Sequence, residues 1–307
     1  MKKVIVTTTN NPPTKAIEQF QAMKDWELVV AGDKNTPRGY RLERGIYITP
    51  QEQEKYDPLL SEAIGWNSIQ RRNFAFLWAH EMKADIVALV DDDNIPLPGW
   101  GQDLLLGREV EVNYYETDLP AFDPLGATDY PHLWHRGYPL ELLSKRDYAH
   151  PTRRKVRADI QADLWNGDPD IAAICRLEFA PVCTFDPTPF PMASNRMSPF
   201  DSQNTFIHGQ MLGDYFMLPQ VGRMDDIWPS YYVQAKGLQV VYNRPSVYQQ
   251  RNKHDLIVDL REEYLGCENN LRLVQSLARD PESLLAFLPA RAAWGFRLYR
   301  KHFSREE

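Results

Sequence analysis

The sequence predicts an α/β fold: a central mixed, mainly parallel sheet flanked by helices, followed by a helical C-terminal segment. Three observations carry that expectation. Two short apolar runs bracket a helical stretch near the N-terminus, which is the pattern of a strand, a crossover helix and a parallel strand. A third run, 84–90, is apolar without alternation, as in a strand covered on both faces. Residues 257–303 keep a helical pattern almost to the end.

The first strand is Lys3 to Thr9, stopped by Asn10-Asn11-Pro12-Pro13. Thr14 is placed to cap a helix reaching about Lys24. Trp26 to Ala31 is the second strand, ending at Gly32-Asp33-Lys34. Residues 61–82 read as one helix, with Ile64, Ile69, Phe74, Leu77 and Trp78 near one face and Arg71 and Arg72 near its middle. The third strand then runs straight into Asp91-Asp92-Asp93-Asn94. Residues 107–205 are rich in proline and aromatics and give only short apolar runs. Residues 205–217 and 227–236 read as buried helices, and Gln239 to Tyr242 as a strand. The expected division is 1–260 as one α/β domain, with 1–100 its nucleotide-binding half and 101–260 its sugar and acceptor half, and 261–307 as a helical extension.

The 307 residues carry 35 basic and 42 acidic side chains, a formal charge of −7. That balance argues against sequence-independent nucleic-acid binding, which needs a basic surface. It leaves room for a local basic pocket. The three cysteines, Cys175, Cys183 and Cys267, lack metal-ligand spacing and read as free thiols. No apolar stretch approaches a membrane span of about 20 residues. A cytoplasmic chain is expected.

Ligands of open α/β sheets lie beyond the carboxyl ends of the strands. The acidic triplet sits at such an end, with Thr8, Thr9 and Asp33 expected at the same edge. Three adjacent carboxylates repel one another unless a positive charge lies among them. A divalent ion held by one or two carboxylates and substrate phosphates meets that need. Strand alternation lets at most two of the three reach one ion, and Asp91 and Asp93 are the favoured pair. A solvated acidic turn is the bland alternative. Arg71 and Arg72 are candidate phosphate partners, and Asp33 a candidate acceptor from a nucleobase or ribose. Arg223, Asp225 and Asp226 form a second charged cluster, able to supply a general base, bind hydroxyls or cap a helix. His254, in a polar loop, is a candidate metal or phosphate ligand.

Taken in order, these pieces resemble GT-A glycosyltransferases. Residues 134–140 (WHRGYPL), 190–206 (FPMASNRMSPFDSQNTF) and 222–228 (GRMDDIW), then PSVYQQRNKHDL and REEYLG, are similar to two related families. One is the reversibly glycosylated polypeptides, which are UDP-arabinopyranose mutases. The other is the STELLO-type glycosyltransferases. The resemblance implies a GT-A-like, Rossmann-like fold and a nucleotide-diphosphate sugar donor, with UDP as the nucleotide. It implies Mn²⁺ or Mg²⁺ at Asp91 and Asp93, with His254 as a further ligand. Thr8, Thr9, Asp33, Arg71, Arg72, Asp92 and Arg223 become the donor-binding set, and Asp225, Asp226 and Arg136 the catalytic set. Arg136 matches the mutase arginine that carries sugar. The chain departs from the mutases at Leu143, where they have a second arginine, and at Gln249, where they have a histidine. Glycosyl transfer to an unknown glycan or small-molecule acceptor is therefore expected. A nucleotide-sugar mutase is the first alternative and a non-catalytic nucleotide-sugar-binding protein the second. A homo-oligomer is compatible with either.

Overall fold

In a computed structural model, residues 1–251 and 255–304 are described. The strands are β1 (Lys3–Thr9), β2 (Glu27–Gly32), β3 (Ile46–Ile48), β4 (Ile86–Val90), β5 (Asn94–Pro96), β6 (Glu109–Tyr115), β7 (Thr152–Arg157), β8 (Ile160–Gly167), β9 (Met192–Ser194), β10 (Asn204–His208) and β11 (Val240–Gln249). They make one mixed sheet in the order β3-β2-β1-β4-β10-β8-β11-β9-β6-β7, with β5 added on β11. The helices are α1 (Lys15–Gln21), α2 (Pro50–Tyr56), α3 (Pro58–Ile64), α4 (Arg72–Glu81), α5 (Ala173–Phe179), α6 (Ile227–Ala235), α7 (Leu256–Leu277) and α8 (Ala290–Lys301). This is the α/β architecture expected, consistent with a GT-A-like fold.

Strand direction decides where a site can form. β3, β2, β1 and β4 are mutually parallel, and β11 is parallel to β8. β10 runs antiparallel to both β4 and β8. It follows that β1, β2, β4, β8 and β11 all point one way. Their carboxyl ends share one edge with the residues that lead into β10.

β4 is buried along its whole length, as its unbroken apolar run predicts. α1 is capped by Thr14, whose hydroxyl accepts from Ile17 N. Two elements differ from expectation. The single helix over 61–82 is interrupted: Gly65 has φ +82° and Asn67 φ +58°, so α3 ends and α4 begins after a loop and a short 3₁₀ turn. The stretch 205–217 is the strand β10 followed by a 3₁₀ turn at Gly209–Asp214. Gly209 crosses so close to β4 that an added Cβ would lie 1.8 Å from the Ala84 carbonyl oxygen. The expected division at 260/261 falls inside α7, which starts at Leu256 and contributes side chains to the cleft described next.

Candidate active site

A cleft of about 820 Å³ opens at the carboxyl edge of the sheet. Asp91 and Asp93, from the turn after β4, form part of its lining. Facing them are Asp225 and Asp226 before α6, Arg136 and Asp170 from loops, and Asp259 and Glu262 on α7. Five residues of the expected catalytic and metal sets, Asp91, Asp93, Arg136, Asp225 and Asp226, thus share one cavity with Arg223 of the donor-binding set.

Arg72 begins α4 and is 1% exposed. Its Nη2 pairs with Asp91 Oδ1, and its Nη1 donates to Ser202 O and Oγ, both at 2.8 Å. Burial still pushes the Asp91 carboxyl up from its usual range, with Arg72 opposing and Asp92 and Asp226 adding to the rise. Arg71 differs from the phosphate partner expected. It points into the α2–α3 region, giving Nε to Gln53 Oε1 at 2.8 Å and Nη1 to Ser61 Oγ at 3.1 Å, with its guanidinium 3.6 Å from the Trp66 ring centre. Burial lowers its pKa to about 10.

The remaining donor-set residues on the N-terminal half lie outside the cleft lining and brace it. Asp92 Oδ2 accepts from Thr9 Oγ1 and from Asn11 Nδ2 at 3.0 Å, which turns it from the cavity towards β1. Thr8 Oγ1 donates to Ala31 O at 2.6 Å. Asp33 accepts from the Asn67 and Ser68 amides at 2.8 and 2.9 Å and so fixes the loop that interrupts the predicted helix. That loop supplies Asn67, Ser68, Ile69 and Gln70 to the cleft wall. His254 lies outside the described residues.

A second group of buried charges centres on Asp170. Its Oδ2 takes Arg136 Nη2 at 2.6 Å, and its Oδ1 takes Arg223 Nη2 at 3.1 Å and Arg251 Nη2 at 3.2 Å. Burial alone would raise the Asp170 carboxyl, but Arg136, Arg223 and Arg251 hold it far below the usual range. Arg136 also donates Nη1 to Asp226 Oδ1 at 2.9 Å and Nε to Asp170 Oδ2 at 2.7 Å. Asp226 Oδ2 accepts from Ser202 N at 2.9 Å and Oγ at 3.0 Å. Burial opposes ionisation of Asp226, and Arg136 reverses that, so it is held below the ordinary carboxylate range. Arg223 reaches on to α7, with Nε 2.9 Å from Glu263 Oε1. Gly222 makes that approach possible: it has φ +58°, and an added Cβ would lie 2.0 Å from Glu262 O.

Asp225 is different. Its Oδ2 accepts from Gln70 Nε2 at 2.7 Å and its Oδ1 from Asp226 N at 3.0 Å. No arginine or lysine pairs with it among the described residues. Burial, then the neighbouring Asp226 charge, push its carboxyl up to about 8. A cleft carboxyl that changes charge near neutrality is suited to proton transfer.

Sequence reasoning missed Asp170, Arg251, Gln70 and Ser202. The polar stretch Ser198-Pro-Phe-Asp-Ser-Gln-Asn held the one available signal, since Ser202 precedes a strand at the ligand edge. Among the described residues no group of three His, Cys, Asp or Glu side chains is placed to hold a metal ion. None of the described helices is long and apolar enough to cross a membrane.

No family model matches the chain. It is similar to two proteins of Arabidopsis thaliana. A protein named probable glycosyltransferase STELLO2 is 21% identical over 253 residues, 76% of this chain and 33% of that protein. Another, named probable glycosyltransferase STELLO1, is 19% identical over 185 residues, 56% of this chain and 24% of that protein. The chain therefore spans about a third or less of the length of these relatives. Similarity to the mutases is not shown.

Proposed function

We propose that this chain is a metal-dependent glycosyltransferase that uses a nucleotide-diphosphate sugar, with UDP as the favoured nucleotide. The observation that carries the proposal is the shared cleft, where the strand-end carboxylates Asp91 and Asp93 meet Asp225, whose proton is poised near neutrality. The distant relatives named as probable glycosyltransferases support the same class.

The donor set fits Mn²⁺ or Mg²⁺. Such ions are usually held by one or two carboxylates together with substrate phosphates, so Asp91 and Asp93 need no third acidic ligand. A bound divalent ion would neutralise the diphosphate as the sugar–phosphate bond breaks. Arg72 holds Asp91 in place and offsets part of its charge. Asp225 takes the proton of the attacking acceptor hydroxyl, and Gln70 orients its carboxylate. Arg136 and Asp226 form the rigid wall behind Asp225. The acceptor is a glycan or small molecule bearing that hydroxyl.

The mutase alternative asks Arg136 to carry sugar. Here its Nε, Nη1 and Nη2 are all engaged by carboxylates, and Asp170 and Asp226 outweigh burial to hold the guanidinium pKa well above its usual value. A guanidinium fixed in its charged form is a poor nucleophile.

The test is a thermal-shift screen of nucleotide-sugars with and without Mn²⁺, followed by a transfer assay on the stabilising donor. Binding to the folded state raises the melting temperature by mass action. Wild type should respond to a nucleotide-sugar plus metal, and Asp91→Ala and Asp93→Ala should not. Full turnover by either variant would remove the site assignment.

A further inference from the structure

β11 ends on the floor of the cleft. Gln249, its last residue, is paired in antiparallel register with Asn94 of β5, and the next amide, Gln250 N, donates to Asp93 O at 3.1 Å. Directly opposed residues on such a pair have Cβ atoms about 5 Å apart and project to the same face. Gln249 is 2% exposed and lines the same cleft as Asp91 and Asp93, yet its Oε1 has no hydrogen-bond partner among the described residues. Asn94, completely buried, gives its Nδ2 to Gln203 O at 3.0 Å, and its Oδ1 is likewise unpartnered.

A buried amide oxygen left unmet costs about 1–3 kcal/mol, and about nine in ten buried polar groups are satisfied. Two unmet oxygens on paired residues point to a species supplied from outside the chain. It must be a donor or a cation, because both atoms are acceptors. Neighbouring charge separates the two choices. The cleft side chains that follow β4 are the carboxylates Asp91 and Asp93, while Arg251, just past β11, is already paired with Asp168 and Asp170, and a carbonyl oxygen joins carboxylates as a ligand for hard divalent ions.

We propose that Gln249 Oε1 is a ligand of the divalent cation held by Asp91 and Asp93, so that the donors among the described residues are all oxygen. The proposal rests on the metal-dependent function above and specifies which ion it takes. Carboxylate and carbonyl donors suit Mg²⁺ and Mn²⁺, whereas an imidazole suits Zn²⁺ and Ni²⁺. The site therefore accepts Mg²⁺ and Mn²⁺ and discriminates against Zn²⁺ and Ni²⁺.

The test is direct ion binding to the full chain, by calorimetry with MgCl₂, MnCl₂ and ZnCl₂ and by the Mn²⁺ spin-resonance signal, each with and without UDP. Gln249→Met keeps the length and removes the oxygen. It should weaken Mn²⁺ binding about tenfold, at the lower end of what losing a supporting group costs a metal site. Gln249→Glu restores an oxygen with a charge and should bind Mn²⁺ at least as tightly as wild type. Gln249→His should shift preference towards Zn²⁺. Wild-type Mn²⁺ affinity in folded Gln249→Met would overturn the proposal. So would a loss of UDP binding in the presence of chelator with Mn²⁺ affinity unchanged, since Gln249 would then serve the nucleotide. Asp91→Asn separates the two levels. If it abolishes ion binding while Gln249→Met does not, only the ligand assignment fails. If wild type itself binds no ion, the metal-dependent function fails with it.

Discussion

Asp225→Asn should stabilise the fold, and do so increasingly as pH rises. The wild-type carboxyl ionises near 3.8 in an unfolded chain and at about 8 in the cleft, where burial and Asp226 oppose its charge. Folding at any pH between those values must therefore take up a proton. At pH 7 the gap is 7 − 3.8, about 3 pH steps, and each step corresponds to about 1.4 kcal/mol. The resulting cost is about 4 kcal/mol as an upper figure. Asp226 shares this titration, so about 2–4 kcal/mol is the working range.

The direction follows from proton binding. The folded state holds the proton that the unfolded state has released, so stability falls as pH rises from 3.8 towards 8 and levels off above it. Asparagine has no proton to exchange. It keeps an acceptor for Asp226 N, and a turn of the Gln70 amide restores the other hydrogen bond. Urea unfolding of both proteins at pH 5, 6, 7, 8 and 9, without metal, measures the effect. The stability difference should grow by up to about 1.4 kcal/mol per pH step and flatten above pH 8. Parallel curves would refute the assignment of a raised carboxyl to Asp225. In the transfer assay the same variant should lose about 10²–10⁴ in turnover, the usual worth of a general base, while its thermal response to donor persists.

Four further outcomes follow from the same geometry. Asp170→Asn leaves Arg136, Arg223 and Arg251 without their common carboxylate and should destabilise by about 3–5 kcal/mol, read by urea unfolding. Asp170 and Asp226 are both held below the ordinary 3.8, so the stability they give is present above that pH and lost as acid protonates them; a circular-dichroism titration should show unfolding below about pH 4. Arg72→Ala should raise the Mn²⁺ concentration needed for half-maximal donor binding, because Asp91 loses the partner that positions it, whereas Arg71→Ala should act chiefly on melting temperature. Incubation with radiolabelled UDP-sugar alone should leave Arg136 unlabelled in peptide mass analysis.

Much of the frame was legible because it is local. β1 and β4 are single apolar runs, and Thr14 is a cap that declares itself in sequence. The segment 205–217 was not legible: Thr-Phe-Ile followed by Met and Leu satisfies a buried strand or a buried helix equally, and periodicity cannot separate them over so few residues. What decides it is the passage of Gly209 against Ala84, a contact between distant parts of the chain. The arginines make the same point more sharply. Arg71 and Arg72 are adjacent in sequence, and successive residues in a helical turn point about 100° apart. One therefore faces Gln53 and the other Asp91, and no composition rule tells which. The Asp170 network joins residues 34 to 81 positions apart, so its members look like unrelated loop charges until the sheet brings the loops together.

That network also decides where the positive charge of the cleft goes. The cleft contains several arginines, yet they are unevenly spent. Arg136, Arg223 and Arg251 converge on Asp170, and Arg136 and Arg223 go on to Asp226 and Glu263. Their charge is consumed on the wall formed by α6 and α7. Across the cleft Arg72 serves Asp91, and beside Asp226 no arginine or lysine pairs with Asp225 among the described residues. Positive charge is thus neutralised within the Asp170 network, while acidic side chains outnumber basic ones along the cleft lining and leave negative charge in excess. A diphosphate alone would add to that excess. A diphosphate carried with a divalent ion would reduce it, and the same ion would ease ionisation of Asp225 by lowering its carboxyl from about 8 towards the range where it can accept a proton at neutral pH.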